Sequence, residues 1–156
     1  MGRDSKRESA MRVMETIPLI MRSIGSEMRK RHSPEMSAMQ FRALSFISYN
    51  EGASLTNFAE FTGISLSSAS KIIDGLAGRR LVKREAAKDD RRRIVLSLTP
   101  AGGKRLEKMQ NEVVEYFAEI LAPLAADECS KISKAMELLG AAFDLARQDL
   151  RQGVKK

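Results

Sequence analysis

The chain has 156 residues and a formal net charge of +7, is rich in Ala, Leu, Met, Lys, Arg and Glu, and has 5% aromatic residues and no Trp. This composition favours helices, and the basic excess points to a polyanionic partner, either nucleic acid or an anionic membrane face. A single cysteine, Cys129, excludes an internal disulfide framework; no apolar run approaches the roughly 20 residues that span a bilayer, and "MGRDSKRESAMRV" has no signal-peptide apolar region, so a cytoplasmic chain is expected.

In chain order, Met11, Met14, Ile17, Ile20, Met21, Ile24 and Met28 recur at helical spacing, which predicts a first helix to about Arg31 after a flexible start. Pro18 predicts a kink or a restart capped by Thr16. "HSPEM" at 32 to 36 marks the next break. Three short helices then follow. Ser37 with Gln40 forms a capping box ahead of Phe41, Leu44 and Ile47. Ser54 opens a helix with Leu55, Phe58, Ala59 and Phe61, "TGIS" turns around Gly63, and Ser65 caps a third helix with Ala69, Ile72, Ile73 and Leu76 on one side. A helix, a glycine turn and a second capped helix make a helix-turn-helix.

"LVKREA" at 81 to 86 and the alternating "RRIVLSL" at 92 to 98 predict a hairpin whose tip is the charged "AKDDR". Ile94, Leu96 and Leu98 are expected to anchor it to the core. Most of the basic excess lies between Arg79 and Arg93. Thr99 with Pro100 starts a long helix carrying Leu106, Met109, Val113, Phe117, Ile120, Leu121 and Leu124, and Asp127 is expected to cap a last one carrying Ile132, Met136, Leu139, Ala142, Phe143 and Ala146. The apolar stripes at the two ends exceed what a small central domain needs as cover, which points to a homodimer interface. The expected segments are 1–34 for an N-terminal dimerisation helix, 35–99 for a winged helix-turn-helix and 100–156 for C-terminal dimerisation helices. The fold class is thus mainly α with a small β-hairpin.

"SASKIIDGLAGRRLVKRE" followed by "DDRRRIVLSLTPAG" resembles the MarR (multiple antibiotic resistance regulator) family of bacterial transcription factors. The likeness lies in a recognition helix ending in Asp-x-Leu and a wing reading Asp90, Arg92, Leu98, Thr99, Gly102, and the order of elements extends it over nearly the whole chain. It implies a homodimer, in this family most often a repressor, whose recognition helices lie about 34 Å apart on a pseudo-palindromic operator in double-stranded DNA. On the recognition helix, Ser65, Ser67, Ser68, Ser70 and Lys71 are the candidate DNA contacts. On the wing, Arg92 matches the family's minor-groove arginine, Asp90 is expected to orient it through a charge-assisted bond, and Arg91 and Arg93 flank it on phosphates. The resemblance also implies a small aromatic or phenolic effector in a cleft, with Met28, His32, Phe41, Arg42 and Tyr49 as candidate lining. One departure stands out: the family usually has Gly where this chain has Arg80, so either Gly78 ends the helix early or Arg80 takes a left-handed backbone at a cost on the order of 1 kcal/mol.

Other function classes find little support. No Gly-rich phosphate loop, catalytic carboxylate pair or Ser/Cys-His arrangement is visible, so no enzyme and no cofactor are expected. A metal site needs several N or S ligands, and the single His32 with the single Cys129 far away in sequence is poor material for one; Cys129 reads as a small apolar filler. The alternative is a winged-helix module that binds protein, or DNA of any sequence, without effector control.

Overall fold

The computed structural model describes residues 2–31, 36–88 and 90–153. Its elements are α1 (Gly2–Arg31), α2 (Ala38–Tyr49), α3 (Leu55–Thr62), α4 (Leu66–Gly78), β1 (Val82–Ala86), β2 (Ile94–Leu98), α5 (Pro100–Leu121) and α6 (Ala126–Gly153). They fall into two units, Met1–Val114 and Glu115–Lys156. His32 and most of the "HSPEM" break lie outside the described residues, as does Asp89 in the wing turn.

Helix α1 begins at Gly2, ahead of the apolar stripe, with Asp4 in its first turn, where a carboxylate suits the helix dipole. It runs unbroken through Pro18, so the expected restart at Thr16 is not seen. Pro18 has no N–H for the Met14 carbonyl, but both residues are exposed and water can take up the orphaned acceptor. The stripe itself is covered unevenly. Ile24 and Met28 pack into the core, whereas Met14, Ile17 and Met21 are 70%, 36% and 48% exposed.

The first unit is built around Leu44, Phe58, Ile73, Leu76 and Met109, contributed by α2, α3, α4 and α5 and fully buried. Burying each such side chain contributes about 1.5–3 kcal/mol, which is why these short helices hold together. Capping fixes where they start. Ser37 Oγ accepts the Gln40 N–H at 3.1 Å while Gln40 Oε1 accepts the Ser37 N–H at 3.0 Å, and Ser54 and Asn57 repeat the arrangement for α3. Gly63 ends α3 at φ +70°, the left-handed conformation that the tight turn into α4 requires. Phe61 is half-exposed, leaning on Phe46 with ring centroids 4.8 Å apart.

The two strands pair antiparallel from Val82↔Leu98 to Ala86↔Ile94. Leu96 is buried and Leu98 packs against the core, as the alternation predicts, and the Leu96 N–H donates to the Ala53 carbonyl at 2.7 Å. Ile94 is no anchor. It is 50% exposed at the tip end of the ladder, beyond the reach of the helices that cover Leu96.

In the second unit, α6 starts at Ala126 rather than at an Asp127 cap. Glu128 Oε2 accepts the Ala125 N–H at 2.9 Å, the return half of a capping box, so Asp127 falls in the first turn and pairs with Lys131. Ile132, Met136 and Phe143 line one side of α6 and are 39%, 50% and 60% exposed. Among the described residues, no helix is long and apolar enough to cross a membrane.

Candidate nucleic-acid interface

The geometry of the basic region starts from the end of α4. The Arg80 N–H donates to the Ala77 carbonyl at 2.9 Å and the Leu81 N–H to the Leu76 carbonyl at 3.0 Å, the two bonds of a Schellman cap. Such a cap needs a left-handed residue at Arg80, and Arg80 adopts φ +59°. The open question of the sequence is therefore answered: α4 continues to Gly78, and the arginine bears the strain. Thr99 closes the joint. Its hydroxyl donates to the Arg80 carbonyl at 2.6 Å and accepts the Gly102 N–H at 3.0 Å, while its own N–H donates to the Leu81 carbonyl at 3.0 Å. A Cβ on Gly102 would come within 1.9 Å of the Leu81 oxygen. The Leu-Thr-x-x-Gly pattern thus has a physical reason, because it locks the end of α4 and the root of the wing to the start of α5.

Helix α4 buries Ala69, Ile73 and Leu76 and leaves Ser65, Ser67, Ser68 and Lys71 exposed, with Ser70 half-buried. Ser65 is first of all the N-cap, its Oγ accepting the Ser68 N–H at 3.2 Å. Ser70 donates to Asp74 Oδ2 at 3.1 Å, and the other oxygen of Asp74 meets Arg84 at 2.6 Å. One carboxylate therefore ties α4 to β1. The sequence offered Asp74 only as part of a motif and gave no signal for its partner ten residues on. It gave none for Leu66 either: that residue falls on the spacing of Ala69, Ile73 and Leu76 yet is 52% exposed, because the first turn of α4 reaches past the core.

On the wing, the charges along the strand are compensated locally and those at the tip are in surplus. Lys83 meets Glu85 at 2.7 Å, and Ser97 donates to the other Glu85 oxygen at 2.8 Å. The Lys83 ammonium first, and the Ser97 hydroxyl second, hold the Glu85 carboxyl below the usual carboxylate range. The turn beyond carries Lys88, Arg91, Arg92 and Arg93, all exposed, close to Asp90. Asp90 Oδ1 accepts the backbone N–H of Arg92 at 2.9 Å, an Asx turn that shapes the tip. The bond expected to reach the Arg92 side chain goes instead to its backbone.

The effector candidates engage different neighbours. Met28 is 3% exposed and part of the core, and Phe41 packs against that core. The Arg42 guanidinium sits over the Phe61 ring at 5.7 Å, and Tyr49, 76% exposed, accepts a hydrogen bond from Gln110. Cys129 is half-buried near the start of α6. Among the described residues, no three His, Cys, Asp or Glu side chains gather where they could hold a metal ion.

Residues 35–93 match the model of the MarR family. The chain is 30% identical over 112 residues to the uncharacterized HTH-type transcriptional regulator YpoP of Bacillus subtilis (strain 168), covering 71% of this chain and 79% of the relative. A second regulator of that organism, YfiV, is 24% identical over 115 residues, covering 74% and 72% of the two chains. Among solved structures, wild-type MarR from E. coli in its apo form superposes with a TM-score of 0.66 at 18% identity, covering 82% of this chain and 94% of that one. The regulator BldR from Sulfolobus solfataricus gives 0.63 at 20% identity, covering 90% and 99%.

Proposed function

The chain belongs to the MarR family of DNA-binding transcriptional regulators, which are not enzymes, and we propose that it acts as a homodimeric repressor on a pseudo-palindromic operator. The observation that carries this reading is the exposed Ser67, Ser68 and Lys71 face of α4 tied through Asp74 and Arg84 to a wing whose tip has a positive surplus. In this reading the first turn of α4 meets base edges in the major groove, Lys71, Arg91 and Arg93 meet phosphates, and Arg92 enters the minor groove. Ser65 and Asp90 act at one remove, by capping the helix and shaping the tip. The segments 1–34, 35–99 and 100–156 serve as first dimerisation helix, DNA-binding head and second dimerisation region.

An aromatic or phenolic effector near Phe41, Arg42 and Tyr49 would release the operator by preferring a different separation of the two heads. It can move that equilibrium only by its differential affinity for the two separations, so near-complete release needs on the order of 5 kcal/mol.

Titrating the purified protein against DNA flanking its own gene, beside random duplex, at several salt concentrations tests the reading. The expected result is binding at least about a thousandfold tighter to one segment than to random DNA, with a logarithmic salt slope that falls by roughly one for each phosphate-contacting cation removed. Arg92→Glu should abolish specific binding. Equal affinity for both duplexes would favour an architectural binder, and flat titrations of both at low salt would leave a protein-binding module.

A further inference from the structure

Hydroxyl protons on the leading turn of α4 are largely committed within the helix. Ser65 Oγ–H donates to Ser68 Oγ at 2.9 Å, which leaves Ser67 as the donor in its 3.2 Å contact with Ser65. The Ser70 proton goes to Asp74. These hydroxyls already have partners inside the helix, and a hydroxyl that can donate or accept discriminates weakly between bases. The remaining chemistry on this turn is the ammonium of Lys71 and the side chain of Leu66, which is 52% exposed at the first helical position.

A solitary exposed leucine is unremarkable on most surfaces. At this position it has a specific counterpart, because the N-terminal turn of a recognition helix meets base edges in the major groove. The apolar group that the groove presents there is the 5-methyl of thymine. We propose that Leu66 is a specificity-determining residue that reads a thymine methyl in each half of the operator. The proposal rests on the DNA-binding reading above and deepens it: sequence preference at the centre of each half-site comes from an apolar contact, while hydrogen bonds from the serines contribute less.

The test uses the full chain and the duplex segment it protects in the DNA flanking its gene, prepared once with thymine and once with deoxyuridine throughout that segment. Losing one buried methyl should weaken the wild type about fourfold per half-site, which corresponds to ~0.8 kcal/mol. Leu66→Ala should bind both duplexes equally, at about the affinity of the wild type for the deoxyuridine duplex, and Leu66→Met, which keeps an apolar side chain, should retain most of the discrimination. Because Leu66 is exposed, neither variant disturbs the core, and circular dichroism checks that both fold. Equal wild-type binding to the two duplexes overturns this proposal while leaving the DNA-binding reading intact, as does undiminished discrimination by Leu66→Ala. Failure of the wild type to bind the thymine duplex overturns both.

Discussion

Arg80 and Gly102 meet in one joint and call for opposite kinds of residue. Arg80 holds φ +59° where a side chain costs on the order of 1–2 kcal/mol, kept there by the Thr99 hydroxyl on its carbonyl and by the Schellman bonds of α4. Gly102 needs the absence of a side chain, since a Cβ would sit 1.9 Å from the Leu81 oxygen. Arg80→Gly should therefore stabilise the protein by about 0.5–1 kcal/mol, the relief of strain being partly offset by the greater freedom of glycine in the unfolded chain. Gly102→Ala should destabilise it by about 1–3 kcal/mol or more, because backbone must move to make room. Urea unfolding midpoints check both signs. A destabilised Arg80→Gly would mean that the Arg80 side chain makes a contact worth more than the strain it bears.

The wing and α4 behave as one body if the Asp74 carboxylate joins them, and that can be measured separately from stability. Both partners of the 2.6 Å Asp74–Arg84 pair are more than a third exposed, so its coupling in a stability double-mutant cycle should be only about 0.2–1 kcal/mol after solvent screening. The coupling in operator affinity should be larger, with Arg84→Asp weakening binding and Asp74→Arg in the same chain restoring part of it. Equal couplings in the two measurements would make the pair an ordinary surface bridge. This pair also marks where the sequence stops being legible. The caps at Ser37, Ser54, Ser65 and Thr99, the stripe Ala69, Ile73, Leu76 and the alternation around Leu96 could all be read, because each depends on neighbours within a few residues. Asp74 with Arg84, Ala53 with Leu96 and Thr99 with Arg80 could not, because each depends on how elements dock. Misreadings have the same origin: Ile94 fits the apolar period, yet lies where the strand has run past its cover, and Asp127 yielded the cap to a Glu128 that reaches back to Ala125.

Apolar surface is most abundant at the two ends of the chain, and its pattern argues for a second copy as its cover. The α1 stripe enters the core at Ile24 and Met28 but leaves Met14, Ile17 and Met21 bare, and α6 leaves Ile132, Met136 and Phe143 bare along one side. Contiguous stripes of this kind are what isologous dimers bury. Since these side chains are exposed in the single chain, charging them should spare the fold of the head and remove only association. Met14→Glu with Met21→Glu, or Met136→Glu with Phe143→Glu, should shift the sedimentation of the protein from dimer to monomer at micromolar concentration. The same variants should lose on the order of 10²–10⁴ in operator affinity, because two linked heads bind the second half-site at high effective concentration and a single head does not. Each monomeric variant should still protect a half-site at high protein concentration with an unchanged preference for thymine over deoxyuridine, since Leu66 and the wing lie within one head. A wild type that sediments as a monomer yet binds the full operator tightly would refute the dimer and assign the bare stripes to some other partner.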